Sequence, residues 1–442
     1  MAIQVAAPAK FDVGESMRLW ERATAVIPGG SQTNSKRPRH YAFGRYPIYL
    51  ERTQGCRVWD VDGNEYIDYV NGMGPISLGH RFPAVDDAVR AQLERGVLSG
   101  LLWPLEIEAA EALIEAIPCA EMVRFLKGGG EATAAAARIA RAYTGQHVIL
   151  NAGYRGWPDT WSARSDPAVP PALADYVLPF NHLDLDKLAA LLDEHTGKVA
   201  AVVMDVPYSA VLPEDHLAKV QDLAHKHGAL FVMDEVVSGF RLARGGAHEY
   251  YGVQPDLACF AKGMANGLPL AAVVGRREVM AAAERSVITA TYGGEALSLA
   301  GCVAVLRIYK EEGVIGHLWQ MGRRLMDGMD AAARAAGVPF RCTGYAPIFS
   351  MRLDLPQEQV APAWEQFLAE CAARGVLLRR GGLTFMTYSH RAADVDQTIE
   401  ACAGAFAALR DAGYTHPAGA SAGTVGGSGR GQSPVGIPLV GA

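Results

Sequence analysis

Apolar and polar positions along this chain follow two periods, and the places where one gives way to the other mark its elements. Residues 14–26 carry the three-to-four spacing of an amphipathic helix, stopped by Pro28-Gly29-Gly30. A basic, irregular segment with Lys36, Arg37 and Arg39 follows. Three short runs, 48–51, 57–60 and 66–70, read as strands, with Asp62-Gly63-Asn64 as a tight hairpin turn between the last two. Helical stretches at 85–96 and 105–117 then lead to an apolar strand at 122–126, a triple glycine and an alanine-rich helix from Glu131 to Tyr143. Continuous apolar runs at 147–150, 201–204 and 230–233 alternate with helices around 184–194 and 215–227.

Strands that are apolar throughout have both faces covered, so this alternation predicts an α/β fold with a mostly parallel sheet between layers of helices. A long helix over 295–312 closes that region, and the segment to about 413 mixes helices with short strands, as a smaller α+β domain does. The expected division is 1–60 as an N-terminal segment belonging to the small domain, 61–312 as the large domain and 313–415 as the C-terminal small domain. From His416 the chain is rich in Gly, Ala, Ser and Pro, and 416–442 is expected to be a disordered tail.

Composition narrows the function classes. With 442 residues, half of them hydrophobic, the chain has ample material for a large core. A net charge of −6 without a basic stripe argues against a nucleic-acid partner. Neither a secretory signal nor an apolar run of the ~20 residues needed for a membrane span is apparent. Seven cysteines scattered without C-x-x-C spacing fit reduced core thiols in a cytoplasmic protein. His225 and His227 fall on different helix faces, so no metal site is expected there.

The candidate chemistry sits at strand ends. Lys262 follows the apolar run Cys259-Phe260-Ala261, and Asp234-Glu235 ends the apolar strand Phe231-Val232-Met233. Taken singly, such a lysine is an ordinary strand-end cation, and such an acid pair serves as a helix cap or a pair of metal ligands. Together, a shielded lysine that acts as a nucleophile toward a carbonyl and an acid that holds a buried cation are the two groups a pyridoxal phosphate enzyme needs. Gly128-Gly129-Gly130, between strand and helix, bares backbone N–H groups at a helix N-terminus, which suits an anion; the same glycines also serve plain turn geometry. Tyr154 and Trp157 follow another strand and either stack on a flat heterocycle or cover the sheet edge. Thr289–Glu295 offers hydroxyls and N–H groups to a phosphate, or simply starts a helix.

The run from Phe231 to Arg241 with Asp234-Glu235-Val236, then Pro255-Asp256-Leu257 and Lys262-Gly263, resembles the signature of class III (subgroup II) aminotransferases of PLP fold type I. The resemblance extends over roughly residues 10–410, from Pro28-Gly29-Gly30 through Asp60-Val61-Asp62-Gly63-Asn64 and Leu78-Gly79-His80 to Tyr292-Gly293-Gly294-Glu295. It is closest to the glutamate-1-semialdehyde 2,1-aminomutase-like branch. It implies a seven-stranded, mostly parallel sheet in a large domain, pyridoxal 5'-phosphate as cofactor, and a homodimer with shared active sites. Lys262 would carry the Schiff base and Asp234 would pair with the pyridine nitrogen. Val236 and Tyr154 would lie on the two ring faces, Gly129 and Gly130 would contact the phosphate, and Thr291 would reach the phosphate in the partner subunit.

The sequence departs from the family pattern where substrate is expected. The usual Ser-Gly-Thr turn is Gly128-Gly129-Gly130, and the usual Tyr-His-Gly is Tyr154-Arg155-Gly156. The aminomutase's Asn-Ser-Pro-Val-Arg run is replaced by 32–38, and its small-residue loop by Leu101-Leu102-Trp103-Pro104. Arg155, Trp103 and Arg37 are therefore the expected substrate contacts. The family's C-terminal arginine motif is missing, although Arg379 and Arg380 lie in that region. The expected activity is transfer of an amino group from a small-molecule donor such as glutamate to an aldehyde or ketone of a sugar, aminocyclitol or natural-product intermediate. An intramolecular aminomutase and a PLP-dependent epimerase are the enzymatic alternatives; a protein that kept the fold without turnover is the other.

Overall fold

The computed structural model describes residues 11–162, 164 and 166–415; the tail expected from His416 lies outside them. These residues form two compact units, one of 11–73, Gly79–Arg81 and 318–415, the other of Gly74–Leu78 and 82–317. Both ends of the described chain thus meet in the first unit.

That unit opens with the helix Gly14–Val26 and three antiparallel strands, β1 (Leu50–Gln54), β2 (Arg57–Asp60) and β3 (Glu65–Asp68). The β2–β3 turn is held by Asp60, whose Oδ1 accepts the amides of Asp62 at 3.0 Å and Asn64 at 2.8 Å, while Gly63 takes φ 88°. Such a positive φ costs glycine little.

The other unit is built on seven strands: β4 (Met122–Leu126), β5 (Val148–Ala152), β6 (Val177–Pro179), β7 (Val199–Met204), β8 (Leu230–Asp234), β9 (Leu257–Phe260) and β10 (Ala271–Gly275). Their order across the sheet is β4-β10-β9-β8-β7-β5-β6; β10 runs antiparallel to both neighbours and every other pair is parallel. β7 to β10 are buried at every position, which is why they read as unbroken apolar runs. On one face the helix Gly129–Thr144 sets Ala132, Ala136, Ile139 and Ala140 against Val203, Val232, Cys259 and Val273. Each fully buried valine or isoleucine there contributes about 1.5–3 kcal/mol. Parallel strands bring their carboxyl ends to one edge, where open α/β sheets hold ligands.

The chain then returns to the first unit. β11 (Phe340–Tyr345), β12 (Ile348–Leu353) and β14 (Leu383–Phe385) form an antiparallel sheet, and β13 (Val376–Leu377) adds to β3 in parallel. The helices Gln357–Ala372 and Ala392–Asp411 pack beside them, joined through Phe340, Phe367 and Phe406, whose ring centroids lie 4.8–5.8 Å apart. All seven cysteines are buried and free, as reduced core thiols are. Among the described residues no helix is long and apolar enough to cross a membrane.

Candidate active site

Five consecutive strand ends of the large sheet each deliver one chemically active side chain. In sheet order they are Lys262 after β9, Asp234 at the end of β8, Asp205 after β7, Arg155 after β5 and His182 after β6. All five line one cavity of about 770 Å³, together with Gly129, Gly130, Tyr154, Tyr208 and Val236. The sequence pointed to Lys262, Asp234, Gly129, Gly130, Tyr154, Val236 and Arg155, and this cavity gathers those seven.

Lys262 occupies the left-handed region at φ 46°, a conformation that non-glycine residues adopt only when the surroundings dictate it. Burial pushes its ammonium down to about 8, and the neighbouring Arg241 guanidinium pushes in the same direction. Arg241 is itself buried; its Nη1 donates to the Val237 carbonyl at 3.1 Å and its Nη2 to the Gly74 carbonyl. An amine near 8 is deprotonated about three hundred times more often at neutral pH than an ordinary lysine.

Asp234 is buried, and its Oδ1 accepts the Val236 amide at 2.9 Å. Burial pushes its carboxyl up to about 6, against the pull of Arg155. Arg155 bridges two acids: Nη1 is 3.0 Å from Asp234 Oδ2 and Nη2 is 3.0 Å from Asp205 Oδ1. Asp205 also meets His182 Nε2 at 2.7 Å, and although burial opposes ionisation, these two partners hold its carboxyl below the usual range. Arg155 therefore differs from its expected place as a substrate contact: its side chain is wholly buried and both terminal nitrogens are engaged by the protein.

At the other side of the cavity the helix Gly129–Thr144 points its N-terminus inward. Glu131 accepts the amides of Lys127 at 2.9 Å and Gly128 at 3.1 Å, which leaves the Gly129 and Gly130 amides without an acceptor among the described residues. A Cβ on Gly129 would stand 2.8 Å from Val236 Cγ1, and one on Gly156 2.9 Å from the Gly130 Cα, so the backbone here is as closely packed as glycine permits. Val236 is half-buried against this turn, and Tyr154 is 78% exposed over the cavity.

Thr291 and Trp103 lie elsewhere. They share a separate cavity of about 780 Å³ with Leu98, Leu101, Leu102 and Ile107. Arg37 belongs to the other unit and packs over Gly29, where an added Cβ would sit 2.3 Å from Nη2. Sequence reasoning missed Asp205, His182 and Tyr208. Val203-Met204-Asp205 had the same form as Met233-Asp234, an apolar strand closing on a carboxylate, and was the signal available.

Comparison with known proteins decides the family: the class-III aminotransferase family model matches residues 41–156 and 162–406. The chain belongs to the class III aminotransferases. A glutamate-1-semialdehyde 2,1-aminomutase of Syntrophobacter fumaroxidans is 35% identical over 426 residues, covering 89% of this chain and 97% of the relative. The 3-aminobutyryl-CoA aminotransferase of Cloacimonas acidaminovorans is 32% identical, covering 89% and 96%. Among solved structures, the FumI protein of Sphingopyxis sp. MTA144 superposes with a TM-score of 0.86 at 28% identity, covering 91% of this chain and 99% of its own. This class III aminotransferase thus sits in the glutamate-1-semialdehyde aminomutase-like branch, as an enzyme with pyridoxal phosphate as its cofactor. The cavity fits that group: unpaired glycine amides for the phosphate, a buried acid for the ring nitrogen and a low-pKa amine for the aldehyde carbon.

Proposed function

We propose that this enzyme moves an amino group from an amino acid donor such as glutamate to an aldehyde or ketone on a sugar, aminocyclitol or natural-product scaffold, working as a homodimer. The observation that carries the transfer chemistry is that Lys262 and Asp234, from adjacent strand ends, enter one cavity with the bare amides of Gly129 and Gly130. When bound, pyridoxal phosphate supplies an aldehyde to take up the amine and a ring that withdraws electrons from the reacting carbon.

The protein's part is to hold and to move protons. Gly129 and Gly130 donate their N–H groups to the phosphate at a helix N-terminus, where the dipole adds to the attraction. Val236 and Tyr154 confine the ring between them. Asp234 would pair with the ring nitrogen and, as a carboxylate, would favour its protonated form. Lys262 Nζ would be the nucleophile toward the cofactor's aldehyde and, as a free amine, the base that takes and returns the proton of the donor carbon, worth ~10²–10⁴-fold in rate. Thr291, in the second cavity, serves the phosphate of the partner chain. Trp103 and Arg37 are proposed substrate contacts, and the divergence of 32–38 and 101–104 from the aminomutase pattern supports an acceptor other than the aminomutase's own.

Borohydride reduction of the yellow enzyme followed by peptide mapping should place the label on Lys262, and Lys262→Ala should abolish turnover; a label elsewhere ends this reading. A panel of amines that bleaches the yellow band then identifies the donor, with release of its keto acid. The 35% identity to aminomutases favours one second reading, intramolecular amine migration. In that case product forms with no keto acid released.

A further inference from the structure

Asp234 and Asp205 stand at neighbouring strand ends with a single guanidinium between them. Arg155 gives one terminal nitrogen to each carboxylate at 3.0 Å, and the same two nitrogens also donate to the carbonyls of Tyr154, at 2.7 Å, and Ala152, while its Nε has no partner among the described residues. Its side chain is shut off from water, so solvent does not screen the pairing. The two acids are not equivalent. Asp205 has a second partner in His182 Nε2 at 2.7 Å, and the His182 carbonyl is tied to His216 Nε2 at 2.6 Å. Among the described residues Asp234 has only the Val236 amide on its other oxygen. The backbone fixes this spacing: at Gly153, φ 99°, a Cβ would lie 2.2 Å from Asp205 Oδ1 and 3.0 Å from both Arg155 Nη2 and His182 Nε2.

The remaining charged or titratable groups around Asp234 come from every adjoining element: Lys262 after β9, with Arg241 beyond it, Tyr208 after β7, and Cys259 within β9. The family pattern has histidine where this chain has Arg155. Histidine loses its charge near neutral pH, whereas a guanidinium keeps it throughout.

We infer that Arg155 is a positioning residue whose shared guanidinium sets how much negative charge Asp234 presents to the ring nitrogen of pyridoxal phosphate, with Asp205 drawing part of that cation away. The inference rests on the cofactor reading above. It makes opposite predictions for the two ends of the network. Removing the cation leaves Asp234 a stronger partner for a protonated ring; neutralising Asp205 turns the whole guanidinium toward Asp234 and weakens that partnership. A purely structural clamp would be damaged in the same sense by either change.

The test measures equilibrium binding to apoenzyme of two probes, pyridoxal phosphate and its analogue with carbon in place of the ring nitrogen. The ratio of their dissociation constants isolates the ring-nitrogen contact from the shared phosphate and lysine contacts. Arg155→Gln should raise the preference for pyridoxal phosphate about tenfold, and Asp205→Asn should lower it about tenfold, one unit of differential protonation in each direction. Arg155→Lys keeps a cation but loses the two-armed bridge, and should shift the preference by less than Arg155→Gln does. Should Arg155→Gln fold poorly, as circular dichroism would reveal, the direction of the Asp205→Asn shift decides. Equal weakening of both probes, or shifts of the same sign in both variants, overturns the inference while leaving the cofactor assignment standing. Wild-type apoenzyme that binds neither probe removes the cofactor assignment and the inference with it.

Discussion

Lys262 pays for its reactivity in stability. Its folded-state pKa of about 8 lies below the ordinary lysine value of 10.5, so folding disfavours its charged form. Below pH 8 both folded and unfolded chains are protonated and the penalty is complete, on the order of 3 kcal/mol. Between about 8 and 10.5 only the unfolded chain holds the proton, and the penalty shrinks until it vanishes. Lys262→Met should therefore raise the thermal midpoint of the apoenzyme by several degrees at pH 7, with the gap over wild type closing as pH approaches 10.5; a gap independent of pH would contradict the assignment. Lys262 and Asp234 were legible in the sequence because each closes an apolar run on a charge. The Arg155–Asp205–His182 network was not. Its members lie in three separate segments, and only the strand order β7-β5-β6, set by packing across the sheet, makes them neighbours.

The helix Gly129–Thr144 joins the core to the site: its alanines pack on the sheet while its first turn faces the cavity. Two adjacent glycines there should respond differently to substitution. Gly128 has extended backbone, φ −128° and ψ 146°, and an added Cβ would meet only Glu131 at 3.9–4.0 Å. Gly128→Ser should thus be accommodated, restoring the hydroxyl of the family's turn and tightening pyridoxal phosphate severalfold in a fluorescence titration. Gly129→Ala drives a methyl to 2.8 Å from Val236 Cγ1 and should weaken the cofactor about tenfold or more. The same titration, run on both variants, would refute the placement of the phosphate if the order were reversed. At this scale the sequence placed seven helices, from Gly14–Val26 to Ala296–Glu311, within a residue or two and named β4, β5, β7 and β8, but it gave no bounds to the long helices Val314–Ala336, Gln357–Ala372 and Ala392–Asp411. It did not mark β10, whose antiparallel insertion between β4 and β9 depends on pairing with β4, far away in the chain.

The molecule as a whole presents apolar surface that a lone chain does not need. Leu101 and Leu102 are 84% and 85% exposed, and Ile107 is 64% exposed, all around the cavity that holds Thr291. Patches of this kind mark protein contact sites. Leu101→Asp combined with Leu102→Asp should convert a two-chain species to one with the mass of a single chain in sedimentation, and should loosen the cofactor along with it if Thr291 serves the partner's phosphate. Unchanged mass would remove this face as the interface of the proposed homodimer. The N-terminal unit has a separate consequence for how the protein is made. β3 emerges early in synthesis, but its parallel neighbour β13 is encoded beyond the entire seven-stranded sheet, with Val376 pairing Ile67. On the ribosome the first-made strands must wait, with one edge unpaired, while the central sheet is translated and folds. Chaperone demand should therefore peak late, when nearly all of the nascent polypeptide has left the exit tunnel and the opening segment is still without its closing strand.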